Sequence, residues 1–147
     1  MSATGSGTTT TADIDHQEAL RLADRLASVY ATYQGTEEVF TPDVLFDVNV
    51  PTWRFQVQGA DAFFSWLRGH SPDGYGITLT RAVPTSSGFV AEVEGEYRPH
   101  GVDLYFRNLL LCEVRGGRIS EVVFFCTGDW DPGTRARQAA EAPMIRA

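Results

Sequence analysis

The chain has 147 residues with a formal net charge of −7, and its 12 basic residues are all arginine. A chain of this length forms one domain able to bury roughly two thirds of its unfolded surface. The missing lysine excludes Schiff-base chemistry, and an acidic balance without a basic stripe argues against nucleic-acid or anionic-membrane partners. No apolar run approaches the ~20 residues of a membrane span, and no charged-then-apolar leader precedes the first helix, so a cytoplasmic protein is expected.

Residues 1–13 are rich in Thr, Ser and Gly without apolar periodicity and read as a disordered tail, leaving 14–147 as the single domain. Asp13 or Asp15 can cap a helix reaching about Gln34, with Gly35 as its stop. Its positions Ala19, Leu22, Ala23, Leu26, Ala27, Tyr30 and Tyr33 follow helical spacing and form one buried face. Glu37–Phe40 reads as a short helical piece closed by Pro42. Val44–Val50 and Trp53–Gln58 alternate with period two and read as strands around Pro51. A second amphipathic helix, Ala60–Arg68, starts after Gly59 and stops at Gly69. Beyond a Gly/Pro loop, Ile77–Val83 and Phe89–Tyr97 form a hairpin.

Arg115-Gly116-Gly117-Arg118 then joins two long apolar runs, Val102–Val114 and Ile119–Cys126, into a second hairpin. A two-residue Gly-Gly loop pairs Arg115 with Arg118, Asn108 with Phe125 and Arg107 with Cys126. One face then carries Phe106, Asn108, Leu110, Cys112, Val123, Phe125 and Thr127. The other carries Tyr105, Arg107, Leu109, Leu111, Val122, Phe124 and Cys126. Cys112 and Cys126 fall on opposite faces, which argues against a disulfide and for buried thiols. Both faces are largely apolar, so one is expected to cover a cavity and the other a second subunit, giving a homodimer joined through the sheet. A polar tail from about 132 holds a short helix at Thr134–Glu141. Helices followed by hairpin-connected strands indicate an α+β fold, with three helices from the N-terminal half packed on one face of a curved antiparallel sheet.

Three stretches carry a family resemblance. They are Phe40-Thr41-Pro42-Asp43-Val44-Leu45-Phe46-Asp47, the turn Gln58-Gly59-Ala60-Asp61-Ala62-Phe63, and Asn108–Gly117 followed by Arg118-Ile119 and an aromatic-ending strand. In this order and spacing, over about Glu18–Trp130, the chain resembles the SnoaL-like group of the nuclear transport factor 2 superfamily. The resemblance implies a cone-shaped fold enclosing one deep apolar pocket. Members include polyketide cyclases, ketosteroid isomerase-like enzymes, limonene-type epoxide hydrolases and plain binding or dimerisation domains, so fold settles little about activity. Where the cyclases carry a strand-end aspartate this chain has Thr127, and the Asp-Arg-Asp set of the epoxide hydrolases has no clear counterpart.

The resemblance places Asp47 near the general base of isomerase-like members, with Asn49 on the same strand face. A carboxylate in an apolar cone would carry protons beside a carbonyl, whereas a solvated strand face is the structural alternative. Asn108 is either an oxyanion donor or a structural amide. His70, behind a helix end, is a third acid/base candidate. Tyr30, Trp53, Phe63, Trp66, Phe106 and Phe125, with Asn49 and Thr127, could line a substrate site, or the aromatics are simply core. Asp129-Trp130-Asp131-Pro132 could close over the pocket, although a turn explains it as well. His16, His70 and His100 follow no metal-ligand spacing, and no cofactor motif is visible, so neither metal nor cofactor is expected. Two functions follow. One is a small enzyme doing acid/base chemistry (cyclisation, isomerisation, dehydration or epoxide opening) on a hydrophobic, oxygenated small molecule. The other is a non-catalytic binding or dimerisation domain using the same pocket.

Overall fold

The computed structural model describes residues 14–146; the Thr-rich tail expected at 1–13 lies outside them. Helix α1, His16–Thr32, opens on Asp15, whose carboxylate accepts from the Glu18 backbone N–H at 2.8 Å, and ends on Tyr33 in the left-handed conformation, φ 59°. The stop therefore falls two residues before Gly35, the glycine expected to provide it. Helix α2 (Thr36–Val39) leads directly into strand β1 (Phe40–Val50), and β2 (Trp53–Gln58), α3 (Ala60–His70), β3 (Gly76–Pro84), β4 (Gly88–Tyr97), β5 (Leu104–Arg115) and β6 (Arg118–Cys126) follow. Helix α4, Pro132–Glu141, is capped by Asp131, which accepts from the Thr134 N–H at 2.7 Å. None of the described helices is long and apolar enough to cross a membrane.

The six strands form one open, curved sheet in the order β2-β1-β6-β5-β4-β3. All neighbours are antiparallel except β1 and β6, which run parallel. That pairing corrects the expectation of a wholly antiparallel sheet. Strands so far apart in the chain are free of the geometry a tight hairpin imposes.

A second correction lies in the β5–β6 hairpin. Arg115 pairs with Arg118 and Val114 with Ile119, as a Gly-Gly loop requires, but the next pair is Glu113 with Glu121. Ser120 is an extra residue, and its hydroxyl donates to the Glu113 carbonyl at 3.4 Å. Beyond this bulge the register is shifted by one, so Asn108 pairs with Cys126 and Leu109 with Phe125. A one-residue shift turns every later side chain to the other face. Val122, Phe124 and Cys126 thus join Phe106, Asn108, Leu110 and Cys112 on the helix-covered face, and both cysteines, free thiols, share that face.

Helices α1 and α3 cover this inner face. Leu22, Leu26 and Val29 from α1, and Phe63, Phe64 and Leu67 from α3, are buried against Phe46, Val48, Phe89, Ala91, Leu110 and Val122. Phe46 and Phe63 stack face to face, with ring centroids 4.0 Å apart and planes at 5°. Edge-on contacts from Phe64 and Tyr30 close the narrow end of the cone. On the outer face, Leu109, Leu111 and Phe125 are exposed side by side. Ion pairs flank them, Arg107 of β5 with Glu92 of β4 and Asp47 of β1 with Arg54 of β2.

Candidate functional site

The wide end of the cone stays open as a cavity of about 270 Å³. Its wall is built by α1 (Tyr30), α3 (Trp66, Leu67, His70), the β1–β2 turn (Val50, Pro51), Tyr75 before β3, Tyr97 at the end of β4, and Phe106, Asn108, Phe124 and Cys126 of the long hairpin. Gly128 and Asp129 complete the rim. The lining is mostly apolar, with a few polar groups converging on it, the usual character of a small-molecule site.

Gly95 explains part of this shape. A Cβ there would stand 2.1 Å from the Phe106 ring, which pairs across from it, so only glycine lets the ring lie against β4. Phe106 then meets Tyr75 edge-on at 5.7 Å, and Tyr75 meets Tyr97 at 4.9 Å, making an aromatic wall. The Tyr97 hydroxyl donates to Asp129 Oδ2 at 2.6 Å. Burial pushes the Tyr30, Tyr75 and Tyr97 phenols well above their ordinary pKa, and for Tyr97 the hydrogen bond to Asp129 adds to that effect. All three are neutral hydrogen-bonding groups at physiological pH. The Cys126 thiol is raised by burial too, the partly opposing contribution being the hydrogen bond it accepts from the Gly128 N–H. Deeper in, the Tyr30 hydroxyl and Asn108 Oδ1 are buried without a protein hydrogen-bond partner. Among the described residues no group of three or more His, Cys, Asp or Glu side chains forms a candidate metal site.

A strap holds Asp129 at the rim. Gly128 adopts φ +82°, and Trp130 exchanges two backbone hydrogen bonds with Tyr105, at 3.0 and 2.7 Å. The Trp130 and Tyr105 rings lie 5.7 Å apart, and the Arg135 guanidinium of α4 sits 3.9 Å above the Tyr105 ring. Helix α4 itself buries none of its residues.

Of the residues expected at a site, Tyr30, Trp66, His70, Phe106 and Asn108 come together around the cavity. His70 sits at the rim, exposed, with Nδ1 2.9 Å from the Trp66 carbonyl oxygen. Phe63 is fully buried in the stack with Phe46 and belongs to the core. Trp53 is 69% exposed at the sheet edge. Phe125 and Thr127 are turned outward by the Ser120 bulge, where the Thr127 hydroxyl accepts from the Arg107 N–H.

Asp47 and Asn49 also face outward, since Asp47 pairs with Val123 and Asn49 with Phe125. The Asp47 carboxylate accepts from Arg54 Nε and Nη2 at 2.9 and 2.7 Å, with Gln56 and Asn49 beside it. Chiefly through the Arg54 hydrogen bonds, its pKa falls to about 2. This corrects the expectation of a proton carrier with a raised pKa in the cavity, because the neighbouring β2 side chains supply a cation on the opposite face.

Tyr75, Tyr97, Cys126 and Phe124 had not been expected at the site. Tyr97 had a signal, as the last member of the inward series Phe89, Ala91, Val93, Gly95, whereas Tyr75 lies in a loop with no periodicity to read.

No family model and no curated relative matches the sequence. Solved structures do match in shape. An NTF2-like protein from Anabaena variabilis is 20% identical, with 79% of this chain and 96% of that one covered at a TM-score of 0.64. An LEH-like epoxide hydrolase from M. tuberculosis is 14% identical over 75% of this chain and 79% of that one, at a TM-score of 0.61. A Jannaschia protein named after the SnoaL-like polyketide cyclases is 13% identical over 88% and 95% of the two chains, at a TM-score of 0.60.

Two tests follow from the site. Asp47→Asn is expected to lower the melting temperature by about 2–5 °C at neutral pH, without changing ligand binding. The stabilisation from a depressed carboxylate pKa is fully present above the ordinary value of 3.8 and is lost as pH falls through about 2, so variant and wild type converge at that acid end. For the strap, Trp130→Ala is expected to raise the alkylation rate of Cys126 by iodoacetamide several-fold, Cys112 being fully buried and silent. An unchanged rate means that the strap does not cover the cavity.

The parallel β1–β6 junction, the curved six-stranded sheet and the helix-lined cone identify the fold as that of the nuclear transport factor 2-like proteins.

Proposed function

We propose that the protein is a small enzyme performing acid/base chemistry on a hydrophobic, oxygen-bearing small molecule held in the cone. The observation that carries this reading is the Tyr97–Asp129 hydrogen bond at the mouth of an apolar cavity. Burial keeps Tyr97 protonated, and its one hydroxyl hydrogen, donated to Asp129, holds that carboxylate within reach of a ligand projecting from the cavity. Asp129 takes a proton from a carbon next to a ligand carbonyl. The electron pair released from that C–H bond moves onto the carbonyl oxygen, where the neutral phenol of Tyr75, which also lines the cavity, stabilises it. The names of the epoxide hydrolase and cyclase neighbours are compatible with a small-molecule enzyme.

A non-catalytic binding domain is the second reading, favoured by the exposure of Asp129 at the rim and by the absence of any other carboxylate among the cavity's lining residues. The two differ in turnover. With β-tetralone in D₂O as probe, the enzyme is expected to speed exchange of the protons next to the carbonyl, followed by NMR. Asp129→Asn should slow that exchange about 100- to 10,000-fold with little change in binding. Binding of the probe with no accelerated exchange in the wild type would leave only the binding domain.

The open outer stripe of Leu109, Leu111 and Phe125 we assign to a second copy of this chain, packed sheet to sheet. Paired charges of both signs at its margins suit a two-fold arrangement, in which each copy meets the opposite charge of the other. Light scattering at micromolar concentration is expected to give the mass of a dimer, and Leu109→Glu to give a monomer with its helical circular dichroism intact.

A further inference from the structure

We propose that the cavity takes its ligand by a hydroxyl group, seated between the Tyr30 hydroxyl and Asn108 Oδ1. This rests on the reading that the cone binds a hydrophobic, oxygenated molecule, and it names the group that is recognised.

Both atoms are buried without a protein partner, and both residues line the main cavity as well as a recess of about 10 Å³ behind it. The recess is otherwise walled by Ala23, Leu26, Ala27, Ile77, Val93 and Leu110, and admits about one polar atom. Leaving two buried polar groups unpaired is costly, and the cost is recovered when a ligand pairs them.

The chemistry of the pair restricts that ligand. Tyr30 stays neutral and can donate, while an amide oxygen can only accept. A ketone, ether or epoxide oxygen only accepts. It would satisfy Tyr30 and set a second lone pair against Asn108 Oδ1. An ammonium could donate to Asn108, but no carboxylate lines the recess to offset burial of its charge, and an anion would find no cation there. A hydroxyl accepts from Tyr30 and donates to Asn108, so both groups are met at once. The main cavity then holds the apolar body of the ligand against Trp66, Phe106 and Phe124.

The test compares naphthalene, β-naphthol, methyl β-naphthyl ether and β-acetylnaphthalene in titrations of the full chain. The naphthol is expected to bind at least about tenfold tighter than the other three. Tyr30→Phe and Asn108→Leu should each erase that advantage and keep the affinity for naphthalene. Because Tyr30→Phe deletes an unpaired buried hydroxyl, it should also raise the melting temperature of the ligand-free protein. Equal affinities for naphthol and naphthalene, as a water held between the two groups would produce, overturn the proposal. So does a preference for the ether or ketone, or a fall in melting temperature for Tyr30→Phe. If none of the four compounds binds, the reading of the cone as a small-molecule site fails and this inference fails with it.

Discussion

One inserted residue in β6 decides what the inside of this molecule is made of. A strand alternates strictly, so inserting Ser120 turns everything after it by half a period. Val122 and Phe124 then pack beneath α1 and α3, and Cys126 reaches the cavity wall. The parallel junction with β1 depends on the same shift, since it seats Val122 beside Phe46 and Phe124 beside Val48, all four buried. Without the bulge, Val123 and Phe125 would fill those places and Phe124 would stand in solvent. The local loss of one regular ladder pair is offset by a consistent apolar surface across three strands.

That surface is filled at one end and open at the other. Around α3 the aromatic rings meet each other at 4.0–6.2 Å, so the narrow end of the cone is solid. Toward the C-terminal ends of β1 and β6 the packing opens, and rings from β4, β5 and the loop before β3 join Tyr30 of α1 and Trp66 of α3 around the space. Phe106 reaches its place only because Gly95 offers no side chain across the strand pair. The site thus lies where the dense ring packing stops, with Tyr75, Tyr97 and Phe106 around the space left over.

Much of this architecture could be read from the chain before any coordinates. The spacing of Leu22, Leu26 and Tyr30 marks the buried face of α1, the Gly116-Gly117 turn marks the long hairpin, and both agree with the structure. The inward placement of Tyr30 and Trp66 follows from helical periodicity, whereas alternation put Phe106 and Asn108 together on one face without saying which face the helices cover. Phe125 and Thr127 escaped because a bulge leaves no trace in an apolar run where every residue could face inward. Asp47 escaped for a different reason. Alternation put it on a face but could not say which face was covered, and Arg54 at its side became visible only with the β1–β2 register. Asp129 lies on a loop, where neither period applies; the sequence offered its segment as a cover for the pocket or a simple turn, and the left-handed turn at Gly128 and the Trp130–Tyr105 bridge place it at the rim.

The two aspartates show how differently surroundings can hold identical side chains. Asp47 is held by a guanidinium in two-point contact, with its pKa drawn down to about 2, so it can neither gain a proton at neutral pH nor turn toward a ligand. Asp129 is held by a single neutral phenol, on the segment that the Trp130–Tyr105 bridge fixes at the cavity rim. A neutral phenol holds a carboxylate in place without adding a compensating charge. Deeper in, Tyr30 and Asn108 carry the opposite arrangement, two polar groups with nothing to hold them. A fold selected for stability alone would place Phe and Leu there. Their presence is a stability cost at the point where the cavity ends, and the proposed hydroxyl-bearing ligand would remove it.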